Sequence, residues 1–227
     1  AKAIHALIDK DETLAQEVID MDFDINRMEV ELDEHILLLV AKRQPAASDL
    51  RLVMSISKGV VDLERIGDEA VKIARMASKI AAEGKSAYGY AEVQHLSNQV
   101  RLMLNNSLEA FSQSNAEQAF EVMRNDSVVN TEYQSAIRAL MTYIMEDSRH
   151  VSKVINIMWI LRSLERIGDH AQNVAELVIN YISGQDVRHS DYAMVEKAVQ
   201  EANDRLAARQ VNTLSANELE TSDSDEG

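Results

Sequence analysis

The feature that most constrains this chain is a repeat written at helical spacing. Val53, Ile56, Val60, Leu63, Gly67, Ala70, Ala74 and Ala77 step by alternating threes and fours. That spacing lines side chains along one stripe of an α-helix. Adding 101 to each number gives Val154, Ile157, Leu161, Leu164, Gly168, Ala171, Ala175 and Val178, again small or apolar throughout. The word LERIGD stands letter for letter at Leu63–Asp68 and at Leu164–Asp169. It is the most visible part of a duplicated amphipathic helix.

The duplication continues upstream at a slightly different offset. EVIDMDFDIN (Glu17–Asn26) aligns with EVMRNDSVVN (Glu121–Asn130) at 104, matching Glu17, Val18, Asp22 and Asn26. ALIDKDETLAQEV aligns with AFSQSNAEQAFEV at the same offset. The three-residue difference falls in the connections, AKRQPAASDL in the first half and MEDSRHVS in the second. Pro45 ends a helix, and Ser48, Asp49, Asp147 and Ser148 suit a helix N-terminus.

The pattern predicts helices over about 1–9, 11–43, 47–82, 89–113, 116–146 and 150–183, with a break at EGKSAYG (Glu83–Gly89). The fold expected is all-α: two tandem three-helix bundles, spectrin-like in packing, over 1–83 and 89–185. The first helix is short beside its counterpart at 89–113. Its full equivalent would begin some fifteen to twenty residues before Ala1, which predicts an N-terminally truncated chain. Residues 186–227 read as an acidic extension. Within it 192–209 can form one amphipathic helix, and Val211–Gly227, with five acids and no base, reads as disordered.

Composition agrees and removes several classes of function. One Pro, seven Gly and 4% aromatics leave little turn chemistry for a sheet. No Cys means no disulfide and no thiolate metal site, which fits a reducing compartment. A net charge of -15 repels phosphate backbones, so nucleic acid is not an expected partner; cations and basic protein surfaces are. No run of about 18 apolar residues or N-terminal signal is apparent. A soluble cytoplasmic protein is expected.

The carboxylates follow the same duplication. Glu64 and Asp68 are one helical turn apart and flank the seam at Leu63 and Gly67; Glu165 and Asp169 repeat this. Gly67 and Gly168 each cost a helix roughly 1 kcal/mol relative to Ala, so close backbone approach or space for a bound group is expected beside them. The preceding helix has its own seam: Val18, Asp22, Ile25, Glu29, Leu32, Ile36 and Leu39, then Val122, Asp126, Val129, Tyr133, Ala136, Leu140 and Tyr143. Asp22 and Asp126 thus lie among mostly apolar positions, where an unpaired carboxylate is costly.

In an antiparallel hairpin, residues equidistant from the turn lie side by side. Asp22 and Asp68 are equidistant from Pro45, and so are Asn26 and Glu64. Asp126 with Asp169, and Asn130 with Glu165, are equidistant from the junction of Asp147 and Ser148. Each half should bring two Asp, one Glu and one Asn to one level. Such an oxygen-only set suits a hard cation such as Mg²⁺, Mn²⁺, Ca²⁺ or iron, whereas Zn²⁺ favours nitrogen or sulfur. The competing reading is a metal-free scaffold whose acids form a solvated salt-bridge network with Arg65, Arg166 and Lys72. A carboxylate di-metal enzyme is a third, but it would want a general base and a substrate pocket.

Other candidates are weaker. His170 follows Asp169 directly and could reach the site, but its counterpart is Glu69, so a surface role is the simpler expectation. Glu92 and His95 form a single ExxH, where a di-iron bundle needs the motif on two helices. Met21, Met28, Met54, Met158 and Trp159 read as core or interface. No P-loop, GxGxxG or nucleophile–His arrangement is apparent.

LERIGD twice, AKRQPAASDLRLVMSISK (Ala41–Lys58), MTYIMEDSR (Met141–Arg149) and GQDVRH (Gly184–His189) resemble the PhoU family over about residues 1–189. The resemblance implies six helices in two similar bundles. It implies E(D)xxxD motifs that hold metal clusters of iron, zinc, manganese or magnesium, and no catalytic activity. It also implies a cytoplasmic protein, often a homodimer. Such a protein is a negative regulator of the phosphate-starvation response, sitting between the phosphate ABC transporter, through its ATPase PstB, and the sensor histidine kinase PhoR. The motif acids map to Glu64, Asp68, Glu165 and Asp169, with partner motifs opening at Asp22 and Asp126. Asn26 and Asn130 replace the closing acids of the family pattern.

Overall fold

A computed structural model of the chain describes residues 1–82, 89–146, 149, 151–188 and 190–204. Its elements are α1 (Lys2–Asp9), α2 (Glu12–Arg43), α3 (Ala47–Ala82), α4 (Tyr90–Gln113), α5 (Ala116–Glu146) and α6 (Val151–Ser183). A further helix, α7, runs over 192–204. The fold is all-α, with α1–α3 forming the first bundle and α4–α6 the second. The helix bounds agree with those read from the periodicity to within a residue. Most of the break at 83–89, the Asp147–Ser148 turn and the acidic tail lie outside the described residues. Among the described residues no helix is long and apolar enough to cross a membrane.

Local chemistry sets the turns, and it is duplicated too. Lys10 ends α1 in a left-handed conformation, and Ser114, 104 positions on, ends α4 the same way. The next residue caps the following helix in each case. Asp11 Oδ1 accepts from the Leu14 N–H at 2.9 Å, and Asn115 Oδ1 from the Gln118 N–H at 3.0 Å. Each cap satisfies an N–H that the helix cannot, worth about 1 kcal/mol. At the α2–α3 turn Gln44 is left-handed, with φ 46°, and Pro45 prevents α2 from continuing. Ser48 and Asp49 fall inside the first turn of α3, where the carboxylate of Asp49 complements the helix dipole.

The core is centred on α6, whose seam from Val154 to Val178 is buried at all eight positions. It packs against α4 and α5 within its bundle and against α3 of the other. α3 and α6 share the most extensive contact in the molecule. α7 buries Val195, Ala198, Val199 and Ala202. It lies along the start of α5, where Tyr192 meets the Phe120 ring edge-on and its hydroxyl donates to the Met123 carbonyl at 3.3 Å. The amphipathic helix expected in the acidic extension therefore docks on the second bundle.

Candidate functional site

The two copies of LERIGD lie on α3 and α6, each facing the preceding helix of its own bundle. A Cβ on Gly67 would stand 3.0 Å from Ile25 Cδ1 and 3.8 Å from Asp22 Oδ1. A Cβ on Gly168 would stand 3.3 Å from Val129 Cγ1, and Ile25 and Val129 are repeat equivalents. The glycines thus mark close helix approach at the same level in both halves, with Asp22 beside the first.

The acids of each half lie near enough to act on one another: Asp68 and Asp22 on Glu64, Asp169 on Asp126, and Asp169 and Asp126 on Glu165. Burial raises the Glu64 pKa, and Asp68, Glu29 and Asp22 push it further while Arg65 opposes them. Glu165 is raised by burial and by Asp169 and Asp126, against Arg162 and Arg166. Burial also raises Asp169, opposed by Arg162, His170 and Arg166. Asp126 is pushed up to about 6, by burial first and then by Asp169 and Glu176. Taking a carboxylate out of water penalises its charge, and a like charge nearby adds to the penalty.

Hydrogen bonding leaves particular oxygens over. Asn26 Nδ2 donates to Asp22 Oδ2 at 3.4 Å, and Asn130 Nδ2 donates to Asp126 Oδ2 at 2.7 Å. Each Asn therefore supports the Asp one turn before it through its amide nitrogen. The other oxygens, Asp22 Oδ1 and Asp126 Oδ1, are buried and have no hydrogen-bond partner among the described residues; Glu165 Oε2 is in the same position. Among the described residues, no three His, Cys, Asp or Glu side chains are gathered, as they stand, into a group that could hold an ion. The donor chemistry still fits a hard cation: partnerless carboxylate oxygens at equivalent places in both halves.

The cations named for a salt-bridge network divide between two tasks. Arg65 reaches Glu64 and Asp68 at 3.5 Å each from an exposed position. Lys72 and Arg166 instead bind Glu69, at 2.9 and 3.2 Å. Arg162 holds Glu165 at 2.7 Å, and its counterpart in the first half is Val61. His170 is not the surface residue expected. It is largely buried between the bundles, with Nδ1 2.8 Å from Asp62 Oδ1. His95 pairs with Glu132 at 2.7 Å.

Two acids were missed by sequence reasoning. Glu29 acts on Glu64 and Glu176 acts on Asp126. Glu29 was visible as a charged residue on the α2 seam, but its counterpart is Tyr133; that of Glu176 is Arg75. A search for duplicated acids passes over both.

Comparison with known proteins agrees over most of the chain. The family model for the PhoU domain matches residues 1–77 and 93–178. The phosphate-specific transport system accessory protein PhoU homolog of Pseudomonas aeruginosa is 52% identical over 198 residues, 87% of this chain and 82% of that protein. The phosphate-specific transport system accessory protein PhoU of Escherichia coli is 43% identical over 187 residues, covering 82% and 77%. The crystal structure of PhoU from Pseudomonas aeruginosa superposes with a TM-score of 0.79 at 54% identity, covering 81% of this chain and 88% of that one. The phosphate transport system regulatory protein PhoU from Streptococcus pneumoniae gives 0.75 at 27% identity, covering 82% and 87%. With its duplicated bundles and paired acidic words, the chain belongs to the PhoU family.

Proposed function

We propose that this chain is a non-enzymatic negative regulator of phosphate uptake and of the phosphate-starvation regulon. It acts in the cytoplasm as a homodimeric adaptor between the phosphate ABC transporter, through PstB, and the sensor kinase PhoR. The relatives' names supply the transport system, and the family resemblance supplies the regulatory sign and the partners. The observation that carries the site is the buried, partnerless carboxylate oxygens of Asp22 and of its repeat equivalent Asp126, with that of Glu165. Asp22, Glu64 and Asp68 would hold a hard cation in the first bundle, and Asp126, Glu165 and Asp169 one in the second. Asn26 and Asn130 would turn their amide oxygens to the ion or keep orienting the Asp. The ion would supply charge neutralisation that Arg65 and Arg162 provide only in part.

The test has two arms. Deleting the gene should leave phosphate-starvation genes on in high phosphate, and restoring it should repress them; unchanged expression overturns the regulatory reading. The full chain, purified without chelator and given Mg²⁺, Mn²⁺, Zn²⁺ or Fe³⁺, should bind at least one ion and melt at a higher temperature. Neither binding nor a shift with all four overturns the metal reading.

A further inference from the structure

The LERIGD helices face two ways. Consecutive helical residues point about 100° apart, so a side chain next to a site acid faces a different neighbour. Glu69 follows Asp68, and its side chain is 4% exposed, turned to the other bundle. There its Oε1 accepts from Arg166 Nε at 3.2 Å, and Arg166 follows Glu165. Lys72 Nζ donates to the same oxygen at 2.9 Å. His170, the repeat equivalent of Glu69, follows Asp169 and reaches back to the first bundle. Its Nδ1 is 2.8 Å from Asp62 Oδ1, two residues before Glu64. Asn173 Nδ2 donates to that oxygen at 3.0 Å.

Each acidic cluster is therefore one or two residues from a polar contact that ends beside the other cluster. The contacts run in both directions across the α3–α6 interface: Glu69, Asp62 and His170 are largely withdrawn from solvent, while Arg166, Lys72 and Asn173 reach them from its exposed edge. Shifting one helix past the other would part the buried Glu69 from Arg166 and the buried Asp62 from His170, so α3 and α6 resist moving independently. We propose that the two carboxylate sites form one coupled unit, with Glu69–Arg166 and Asp62–His170–Asn173 as positioning contacts, so that loading one site with a cation raises the affinity of the other. This rests on the metal reading above. Loading the first site orders α3 against α2, the contacts pass that order to α6, and the second ion then meets a site whose ordering cost is partly met.

The experiment is Mn²⁺ titration of the full chain by calorimetry, in four backgrounds. They are the unaltered chain, a chain whose second-half site is removed by Asp126→Asn with Glu165→Gln, and each of these two carrying Glu69→Gln. Removing the second-half site should weaken the first-half site about fivefold or more. With Glu69→Gln present the same removal should change it by less than about twofold. Asp62→Asn, at the separate contact, should reduce the coupling in the same direction, and circular dichroism confirms that each variant folds. First-half affinity that is indifferent to the second site in the unaltered chain overturns the coupling while leaving the metal reading intact. Coupling that survives both substitutions overturns the assignment to these contacts. Absence of Mn²⁺ binding in every background overturns the metal reading for this ion and the proposal with it.

Discussion

The two halves carry the same seam and bury it differently. In α6, Leu164 is 3% exposed; in α3, its equivalent Leu63 is 39% exposed. α5 buries eight residues, including Val129, Ala136 and Leu140, whereas α2 buries only Ala15 and Val18. Farther along α2, Phe23 and Leu37 are 75% and 70% exposed. The difference lies in the third helix. α4 is 24 residues long and lays Val93, Leu96, Val100 and Met103 against the hairpin of α5 and α6. α1 is eight residues long, and its contacts reach one end of α2 and α3. A heptad seam encodes which face of a helix is apolar; how much of that face leaves water depends on the helices laid over it.

The largest test of this contrast is truncation at the equivalent leucines. Leu164→Ala opens a cavity in a packed core and should cost about 2–5 kcal/mol, read by urea unfolding of the full chain. Leu63→Ala removes a side chain still partly in water and should cost under about 1 kcal/mol. Equal costs would show that the first-half seam is as well covered in solution as the second.

A smaller effect is expected from Asp126. Its pKa in the fold is about 6 against an ordinary 3.8, with burial as the main cause and Asp169 and Glu176 next. A carboxyl whose pKa is raised on folding favours the folded state while protonated. That stabilisation is present below about pH 4 and is lost as pH rises through about 6. The shift corresponds to at most about 3 kcal/mol, and solvent screening at a half-buried position reduces it to about 1–2 kcal/mol. In chelated protein, Asp126→Asn should therefore raise stability at pH 7 and flatten its dependence between pH 4 and 7. Thermal melts across that range check it, and a mutant with the same pH dependence as the parent would locate the titration elsewhere.

What the sequence disclosed was whatever is local or periodic. The three-and-four spacing gave the helices, Pro45 and the capping residues gave their ends, and the distances from the turns brought Asp22 near enough to act on Glu64 and Asp169 near enough to act on Asp126. The docking of one bundle on the other was not legible. Glu69 reads as one more surface acid in a helix rich in them, yet it is buried against Arg166. His170 reads the same way until α3 brings Asp62 to it. A duplicated pattern specifies contacts within each copy; contacts between the copies follow from three-dimensional packing that neither copy encodes alone. The same limit concealed Glu29 and Glu176, each present in one copy only.

The glycines give the finest comparison. Replacing a helical Gly by Ala gains about 1 kcal/mol if the new methyl fits. At Gly67 the atom in the way is Ile25 Cδ1, at 3.0 Å, the far end of a flexible side chain on a half-buried residue. Ile25 can turn that methyl outward, so Gly67→Ala should be neutral or stabilising by up to about 1 kcal/mol. At Gly168 the obstacle is Val129 Cγ1, at 3.3 Å, with Met103 and Val100 behind it. Val129 is buried, and its β-branch resists rotation within a helix. The overpacking cost there, about 1–3 kcal/mol, should offset or exceed the helix gain, so Gly168→Ala should be neutral to destabilising by about 1 kcal/mol. Urea midpoints of the two variants, measured side by side, should move in opposite directions or differ in the same sense. If Gly168→Ala proved the more stabilising of the two, the second bundle would be the looser one at this level, and the contrast drawn from Leu63 and Leu164 would fail where the acids sit.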